Sequence, residues 1–140
     1  DPILFAMRTA ALSGVDVRLM IPYETDTKIV EWASRTYVLA TVKAGVKVYL
    51  YKAGFNHSKL LVADDSIATI GSTNVDFRSF ENDFEANAFF YDKKIALEVK
   101  DIFLKDQEEC VALEDVRNLT HRSFLQRLWE SMVRLLSPLL

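Results

Sequence analysis

Segments with helical and with extended periodicity alternate along the chain, and this alternation constrains the fold more than any other feature. Apolar residues recur every three or four positions from Pro2 to Leu12, whereas Val15 to Ile21 alternates and is rich in β-branched residues. A second helical pattern runs from about Asp26 to Lys43, and a third runs from Lys93 to Glu109. Strands that alternate with helices are typical of an α/β protein.

Four shorter strand patterns complete the set: Val46–Tyr51, Lys59–Ala63, Ser66–Ile70 and Phe84–Tyr91. The pair Asp64-Asp65 separates two of them and predicts a tight hairpin between antiparallel neighbours. Helix–strand alternation elsewhere requires crossover connections. The sequence therefore predicts one α/β domain over residues 1–140, with a mixed β-sheet flanked by helices.

The composition narrows the class of protein. A chain of 140 residues that is 50% hydrophobic can bury a sizeable core. Its net charge of -3 provides no overall basic field, so we expect no nucleic-acid partner. Cys110 is the single cysteine, which excludes an intrachain disulfide and favours a reducing compartment. No run of 18 apolar residues occurs, and because the first residue is Asp we expect the chain to be part of a longer polypeptide.

The C-terminal segment 119–140 differs from the rest of the chain. Apolar residues recur at three- and four-residue spacing over 121–136, and arginines share the opposite face with a few other polar residues. This pattern predicts a terminal amphipathic helix. The helix can dock on the domain or on a partner, or its apolar face and arginines can lie against anionic lipid headgroups. The sequence leaves both interpretations open.

The residues with the most chemical potential are His57 and Lys59, followed by Gly71, Ser72 and Asn74. A neutral imidazole can attack phosphorus, and a lysine two residues later on an extended strand lies on the same face. A lone histidine is more often structural. The hairpin, however, returns the later residues to the same edge of the sheet, where a hydroxyl and an amide add donors for a phosphate. This set suits phosphodiester chemistry without a metal.

Two carboxylates near this set in the sequence, Asp64 and Glu85, are interpreted differently. Asp64 lies about 16 Å from Lys59 along an extended strand, so its position favours a role in the turn. Glu85 lies on the strand after the hairpin, where a carboxylate can fix the tautomer of His57. The alternative for Glu85 is an exposed strand residue.

The pattern His57-x-Lys59-x4-Asp64-x6-Gly71-Ser72-x-Asn74 resembles the HKD motif of the phospholipase D superfamily. Segments outside the motif resemble bacterial cardiolipin synthases, namely 14–18, 44–49, 77–80, 82–89 and 133–140. The resemblance covers nearly the whole chain. It identifies the chain as similar to the C-terminal HKD repeat of those enzymes.

This resemblance implies a mechanism and a set of site residues. Such enzymes carry two HKD motifs and N-terminal membrane segments, and one motif histidine forms a phosphohistidine while the other acts as general acid and base. His57 corresponds to the second histidine. The implied catalytic residues are His57, Lys59, Asp64 and Glu85, and the implied phosphate-binding residues are His57, Lys59, Ser72 and Asn74. Neither a metal nor another cofactor is expected.

The resemblance also implies a reaction and partners. Two phosphatidylglycerol molecules would yield cardiolipin and glycerol, at the cytoplasmic side of a bacterial cell membrane. The second motif would come from the N-terminal repeat of the parent chain or from a second copy in a homodimer, with peripheral membrane contact through 121–136. The alternatives are a single-motif phosphodiesterase or nuclease that acts as a homodimer, and a catalytically silent half-domain. Arg78 can contact a second lipid phosphate or form a salt bridge.

Overall fold

The computed structural model describes residues 2–23, 38–75 and 77–113. The elements in chain order are α1 (Pro2–Leu12), β1 (Arg18–Pro22), β2 (Lys47–Tyr51), β3 (Leu60–Ala63), β4 (Ile67–Gly71), α2 (Phe77–Glu81), β5 (Asn87–Phe90), α3 (Lys93–Glu108) and β6 (Cys110–Ala112). Residues 38–43 are helical as well. The α/β class is confirmed. The first part of the predicted second helix and the whole segment 119–140 lie outside the described residues.

Within these ranges the strands form two three-stranded sheets, whereas the sequence predicted one mixed sheet. In the first sheet β1 is parallel to β2, and β6 is antiparallel to β2. The second sheet is antiparallel throughout, with β4 between β3 and β5. Both edges of β2 are occupied, by β1 and by β6, and β3 pairs with β4 in the second sheet.

The first hydrophobic core lies on one face of β2. Val48 and Leu50 alternate with partly exposed tyrosines, and they are buried together with Val46 and Leu113. Apolar residues of α1, β1 and the helical segment 38–43 pack against this cluster. Burial of each such aliphatic side chain contributes roughly 1.5–3 kcal/mol. The first sheet is therefore held by helices that both precede β2 in the chain.

Glycine ends both of those helices. Gly45 has φ +97°, donates its N–H to the Val42 carbonyl at 2.8 Å, and is followed by Val46, which donates to the Thr41 carbonyl at 3.3 Å. This pair of bonds is a Schellman motif. Gly14, with φ +89°, closes α1 by the same pattern. The two caps deliver the chain directly into β1 and β2.

A carboxylate joins the starts of β1 and β2. Asp16 accepts hydrogen bonds from Arg18 at 2.7 Å and from Lys47 at 2.8 Å. These bonds lower the pKa of Asp16 from 3.8 to about 2. The folded-state pKa is depressed, so the stabilisation is present above pH 3.8 and is lost as the pH falls through about 2.

Helix α3 covers one face of the second sheet. Ala68 of β4 is fully buried against Ala96 and Val99 of α3. The cross-strand row Leu61, Thr69 and Phe89 occupies the opposite face, where the side chains of Leu61 and Phe89 are 41% and 60% exposed. Because side chains alternate along a strand, Lys59 lies on the face that α3 leaves uncovered.

The predicted hairpin between β3 and β4 is confirmed. Asp64 and Asp65 have φ values of +50° and +55°, and Ser66 donates its N–H to the Ala63 carbonyl at 3.1 Å. Two central residues with positive φ are what a type I′ turn requires, and its twist matches that of the strands. Asp65 also pairs with Lys100 of α3 at 2.6 Å, which ties the turn to the helix.

We expect Asp64→Val to lower the free energy of unfolding by about 1–2 kcal/mol, because a β-branched side chain is strongly disfavoured at positive φ. Asp64→Asn is the matched control and should leave stability within about 0.5 kcal/mol, since asparagine tolerates this conformation. Urea unfolding monitored by circular dichroism measures both. Equal stability of the two variants would contradict the proposed role of the turn.

Candidate active site

The hairpin brings the two parts of the motif together. Lys59 immediately precedes β3 and Gly71 ends β4, and the Gly71 N–H donates to the Lys59 carbonyl at 3.0 Å. His57, just before β3, therefore lies at the same end of the hairpin as Ser72 and Asn74, which follow β4. The backbone thus brings these residues to the same end of the hairpin, and their roles stay a prediction.

Hydrogen bonds from the side chains of Asn56 and Lys59 hold the loop that carries His57. Asn56 donates from Nδ2 to the Met20 sulfur at 3.7 Å and accepts the Ser58 N–H on Oδ1 at 2.9 Å. Lys59 donates from Nζ to the carbonyl of His57 at 2.9 Å. The loop is thus attached to β1 of the first sheet, and the Lys59 ammonium lies beside the main chain of His57.

The His57 side chain is exposed and lies against an aromatic ring. The Phe55 and His57 ring centroids are 5.7 Å apart with an interplanar angle of 19°. Within the described part of the chain the imidazole makes no hydrogen bond. Both ring nitrogens are consequently available to a substrate.

Glu85 is held by two serine hydroxyls. Ser72 donates from Oγ to Oε2 of Glu85, and Ser79 donates from Oγ to Oε1 at 3.0 Å. The Ser79 hydroxyl also accepts the backbone N–H of Asn74 at 3.2 Å, and Ser72 accepts the N–H of Ala86 at 3.0 Å. These bonds connect residues 72–74, called the phosphate-side loop below, to α2 and to Ala86 just before β5.

This network bears on the predicted role of Glu85. No hydrogen bond joins Glu85 to His57 among residues 2–23, 38–75 and 77–113. A carboxylate can accept about four hydrogen bonds, so two hydroxyl donors leave capacity for an imidazole N–H. Orientation of His57 by Glu85 therefore stays a prediction, and the contacts with Ser72 and Ser79 are its observed partners.

Sequence reasoning assigned no function to Ser79. The residue is 6% exposed and lies on α2, a helix of five residues that is too short to produce a periodic pattern. The available signal was a small hydroxyl residue between Arg78 and Phe80. Burial of a hydroxyl requires a hydrogen-bond partner, and Glu85 is that partner here.

Gly71 permits close contact between β4 and β5. A Cβ at Gly71 would collide with the Ala86 carbonyl oxygen and with the Asn87 side chain. Asn87 in turn donates from Nδ2 to the Thr73 hydroxyl. The loop between Gly71 and Asn74 is thereby held against β5 at successive positions.

Asp64 lies apart from these residues. It occupies the turn at the opposite end of the hairpin, it is exposed, and Lys59 is about 16 Å away along the strand. The resemblance to the HKD motif implies a catalytic role for Asp64, but its position provides no contact with the other site residues. The side chain of Arg78 lies outside the described part of the structure.

The assembled groups favour binding of a phosphate. An exposed imidazole, the Lys59 ammonium and the Asn74 amide stand at one edge of the sheet, where they offer positive charge and a neutral donor. The Ser72 hydroxyl lies at the same edge, and its single proton is donated to Glu85. In the described ranges, no group of three or more histidine, cysteine, aspartate or glutamate side chains could hold a metal ion. None of the helices there has the length and hydrophobicity needed to cross a bilayer.

Curated relatives are similar to this chain along its whole length. A cardiolipin synthase of Clostridium perfringens is 44% identical over 140 residues, which is 100% of this chain and 29% of the relative. A cardiolipin synthase of Geobacillus kaustophilus is 48% identical over 141 residues, 100% of this chain and 28% of the relative. The major cardiolipin synthase ClsA of Bacillus subtilis is 46% identical over 143 residues, 99% of this chain and 28% of the relative. The chain thus spans less than a third of the length of these relatives.

Solved structures share the fold. Nuc of Salmonella typhimurium, a phospholipase D family member, superimposes with a TM-score of 0.66 at 20% identity, over 79% of this chain and 72% of that chain. NucT of Helicobacter pylori superimposes with a TM-score of 0.64 at 25% identity, over 80% of this chain and 74% of that chain. The family profile described as "Cardiolipin synthase, PLD-like domain" matches residues 1–107. The chain belongs to this family of phospholipase D-like domains of cardiolipin synthases.

Proposed function

We propose that this chain supplies one HKD half of a phosphatidyltransferase that converts two phosphatidylglycerol molecules into cardiolipin and glycerol. The observation that carries the proposal is the convergence of His57, Lys59, Ser72 and Asn74 at one end of the β3–β4 hairpin. The similarity to cardiolipin synthases at 42–48% identity supports the choice of reaction. The other half would be an N-terminal HKD repeat or a second copy of this chain.

The reaction requires two histidines because displacement at phosphorus is in line. A histidine of the other half attacks the phosphorus of the first phosphatidylglycerol and forms an N–P bond as the P–O bond to glycerol breaks. His57 in its protonated form donates a proton to the departing glycerol oxygen. Neutral His57 then takes the proton from a hydroxyl of the second phosphatidylglycerol, whose oxygen attacks the phosphorus and breaks the N–P bond.

The remaining residues would stabilise charge and hold geometry. Lys59 and Asn74 would contact the nonbridging phosphate oxygens, on which negative charge accumulates in the transition state. Ser72 would bridge the phosphate-side loop to Glu85. Glu85 would orient His57 and keep that loop in place through the two serines. Asp64 would act through the turn.

The substrate is a lipid, so the site has to operate at a membrane surface. The amphipathic pattern at 121–136 supports peripheral contact with anionic lipid. That segment lies outside the described residues, and its role rests on the sequence pattern. The net charge of -3 disfavours a nucleic-acid substrate.

We expect His57→Ala, introduced into the polypeptide that carries both HKD halves, to lower kcat for cardiolipin formation by at least about 10³-fold. Wild-type turnover should persist in EDTA, because the proposed chemistry uses imidazole, ammonium and amide groups. Thin-layer chromatography of phosphatidylglycerol vesicles after reaction measures both effects. Unchanged turnover by His57→Ala would refute the assigned role of this histidine.

We expect Ser79→Ala to lower kcat by about 10-fold, because loss of a hydrogen bond to a charged group displaces Glu85 and the Asn74 loop together. Ser66→Ala is the matched control, since Ser66 lies in the turn at the far end of the hairpin. The same vesicle assay compares the two variants. A loss shared by both would indicate a general effect on folding, and no loss in Ser79→Ala would exclude the network from catalysis.

We expect the 140-residue chain alone to show no turnover at concentrations where it is monomeric, because one histidine cannot serve both faces of phosphorus. Analytical ultracentrifugation gives the oligomeric state, and the vesicle assay is run over the same concentrations. Turnover that rises with the dimer fraction would identify a second copy as the other half. Turnover by a strict monomer would contradict the two-histidine mechanism.

A further inference from the structure

A phenylalanine outside the motif contacts the imidazole. Phe55 precedes His57 by two residues, and the near-parallel rings lie 5.7 Å apart at 19°. This separation falls within the range of offset-stacked aromatic pairs. The bonds of Asn56 to Met20 and to the Ser58 N–H hold the residue between the two rings in place.

Among the described residues, the stacked ring of Phe55 is the contact found for the imidazole. In the part of the chain that the structure describes, His57 makes no hydrogen bond, and the observed partners of Glu85 are Ser72 and Ser79. Rotation about the Cβ–Cγ bond of a histidine turns the plane of its ring. A flat aromatic neighbour restricts that rotation, and it leaves both edge nitrogens free to meet a phosphate oxygen or an alcohol.

Phe55 is poorly explained as a core residue. Its side chain is 59% exposed, and it belongs to neither hydrophobic cluster. An exposed phenylalanine contributes little to folding through burial. Its ring also faces a group that carries positive charge in its acid form, and aromatic faces attract cations.

We propose that Phe55 is a positioning residue that holds the His57 ring by stacking. The inference rests on the proposed function for its effect on turnover, whereas the stacking itself is independent of that function. Phe55→Leu keeps an apolar side chain and removes the aromatic face. Phe55→Tyr keeps the face and is the conservative variant.

Nuclear magnetic resonance of the 140-residue chain tests the stacking without lipid. The chain has 2 histidines, so the ring protons of His57 are assigned by their loss in His57→Gln. We expect ring-current shifts of these protons in the wild type and in Phe55→Tyr, and random-coil values in Phe55→Leu. Retention of the wild-type shifts in Phe55→Leu would overturn the proposal.

Kinetics of the polypeptide with both HKD halves test the consequence. We expect Phe55→Leu to lower kcat by about 3- to 10-fold with KM unchanged, because Lys59 and Asn74 hold the phosphate. Phe55→Tyr should restore kcat. Phe5→Leu is the matched control, since the Phe5 side chain is 71% exposed on α1. Equal kcat for Phe55→Leu and Phe5→Leu would overturn the positioning role.

The resonance and kinetic experiments distinguish a failure of the stacking from a failure of the proposed function. Absence of cardiolipin formation by the wild type would defeat the proposed function, and the resonance shifts would still decide whether Phe55 holds the ring. The free energy of unfolding shows whether Phe55→Leu destabilises the fold, and we expect it to equal that of Phe5→Leu. If Phe55→Leu is less stable, the wild type is compared with Phe55→Tyr instead. Different ring-proton shifts of His57 in these two proteins would then overturn the proposal.

Discussion

The reversal of the chain at Asp64 and Asp65 is the constraint on which the site depends. The two residues accept positive φ, and β3 and β4 then run antiparallel in a fixed register that ends with Gly71 opposite Lys59. A shift of one position would turn Lys59 to the face that α3 covers. The turn thus controls, from the far end of the hairpin, whether an ammonium and an imidazole meet the donors that follow β4.

The second sheet also determines what Glu85 can do. Pairing of β4 with β5 places Ser72 beside Ala86, and Glu85 is drawn to the Ser72 and Ser79 hydroxyls. The phosphate-side loop, α2 and the entrance to β5 consequently share one carboxylate. Such a connected polar network tends to hold a single geometry, because breaking any one bond leaves a charged group with fewer partners.

Sequence reasoning predicted the elements whose patterns are long enough to show a period. Helix α1, helix α3 and the hairpin with its aspartate turn were recovered, since these signals lie within a few neighbouring residues. The five-residue α2 and the three-residue β6 were missed. Strand β6 pairs with β2, which lies far from it in the sequence, and a local pattern does not predict such a pairing. The contacts of Ser79 with Glu85 and of Phe55 with His57 depend on how loops fold, so helical or strand periodicity does not predict them. The spacing of His57, Lys59, Ser72 and Asn74 predicts a site, and the hairpin brings these residues to one end.

The bond from the Lys59 ammonium to the His57 carbonyl, at 2.9 Å, has a consequence for the tolerance of the site to movement. It fastens the positive charge to the main chain of the residue that bears the imidazole. When this loop shifts, the ammonium and the main chain of His57 move together, and their distance to Asn74 changes. An ammonium has three donors, so this bond leaves two for a phosphate. A displacement of the loop would therefore change the separation between the two ends of the hairpin, and the ammonium would keep its position relative to the main chain of His57.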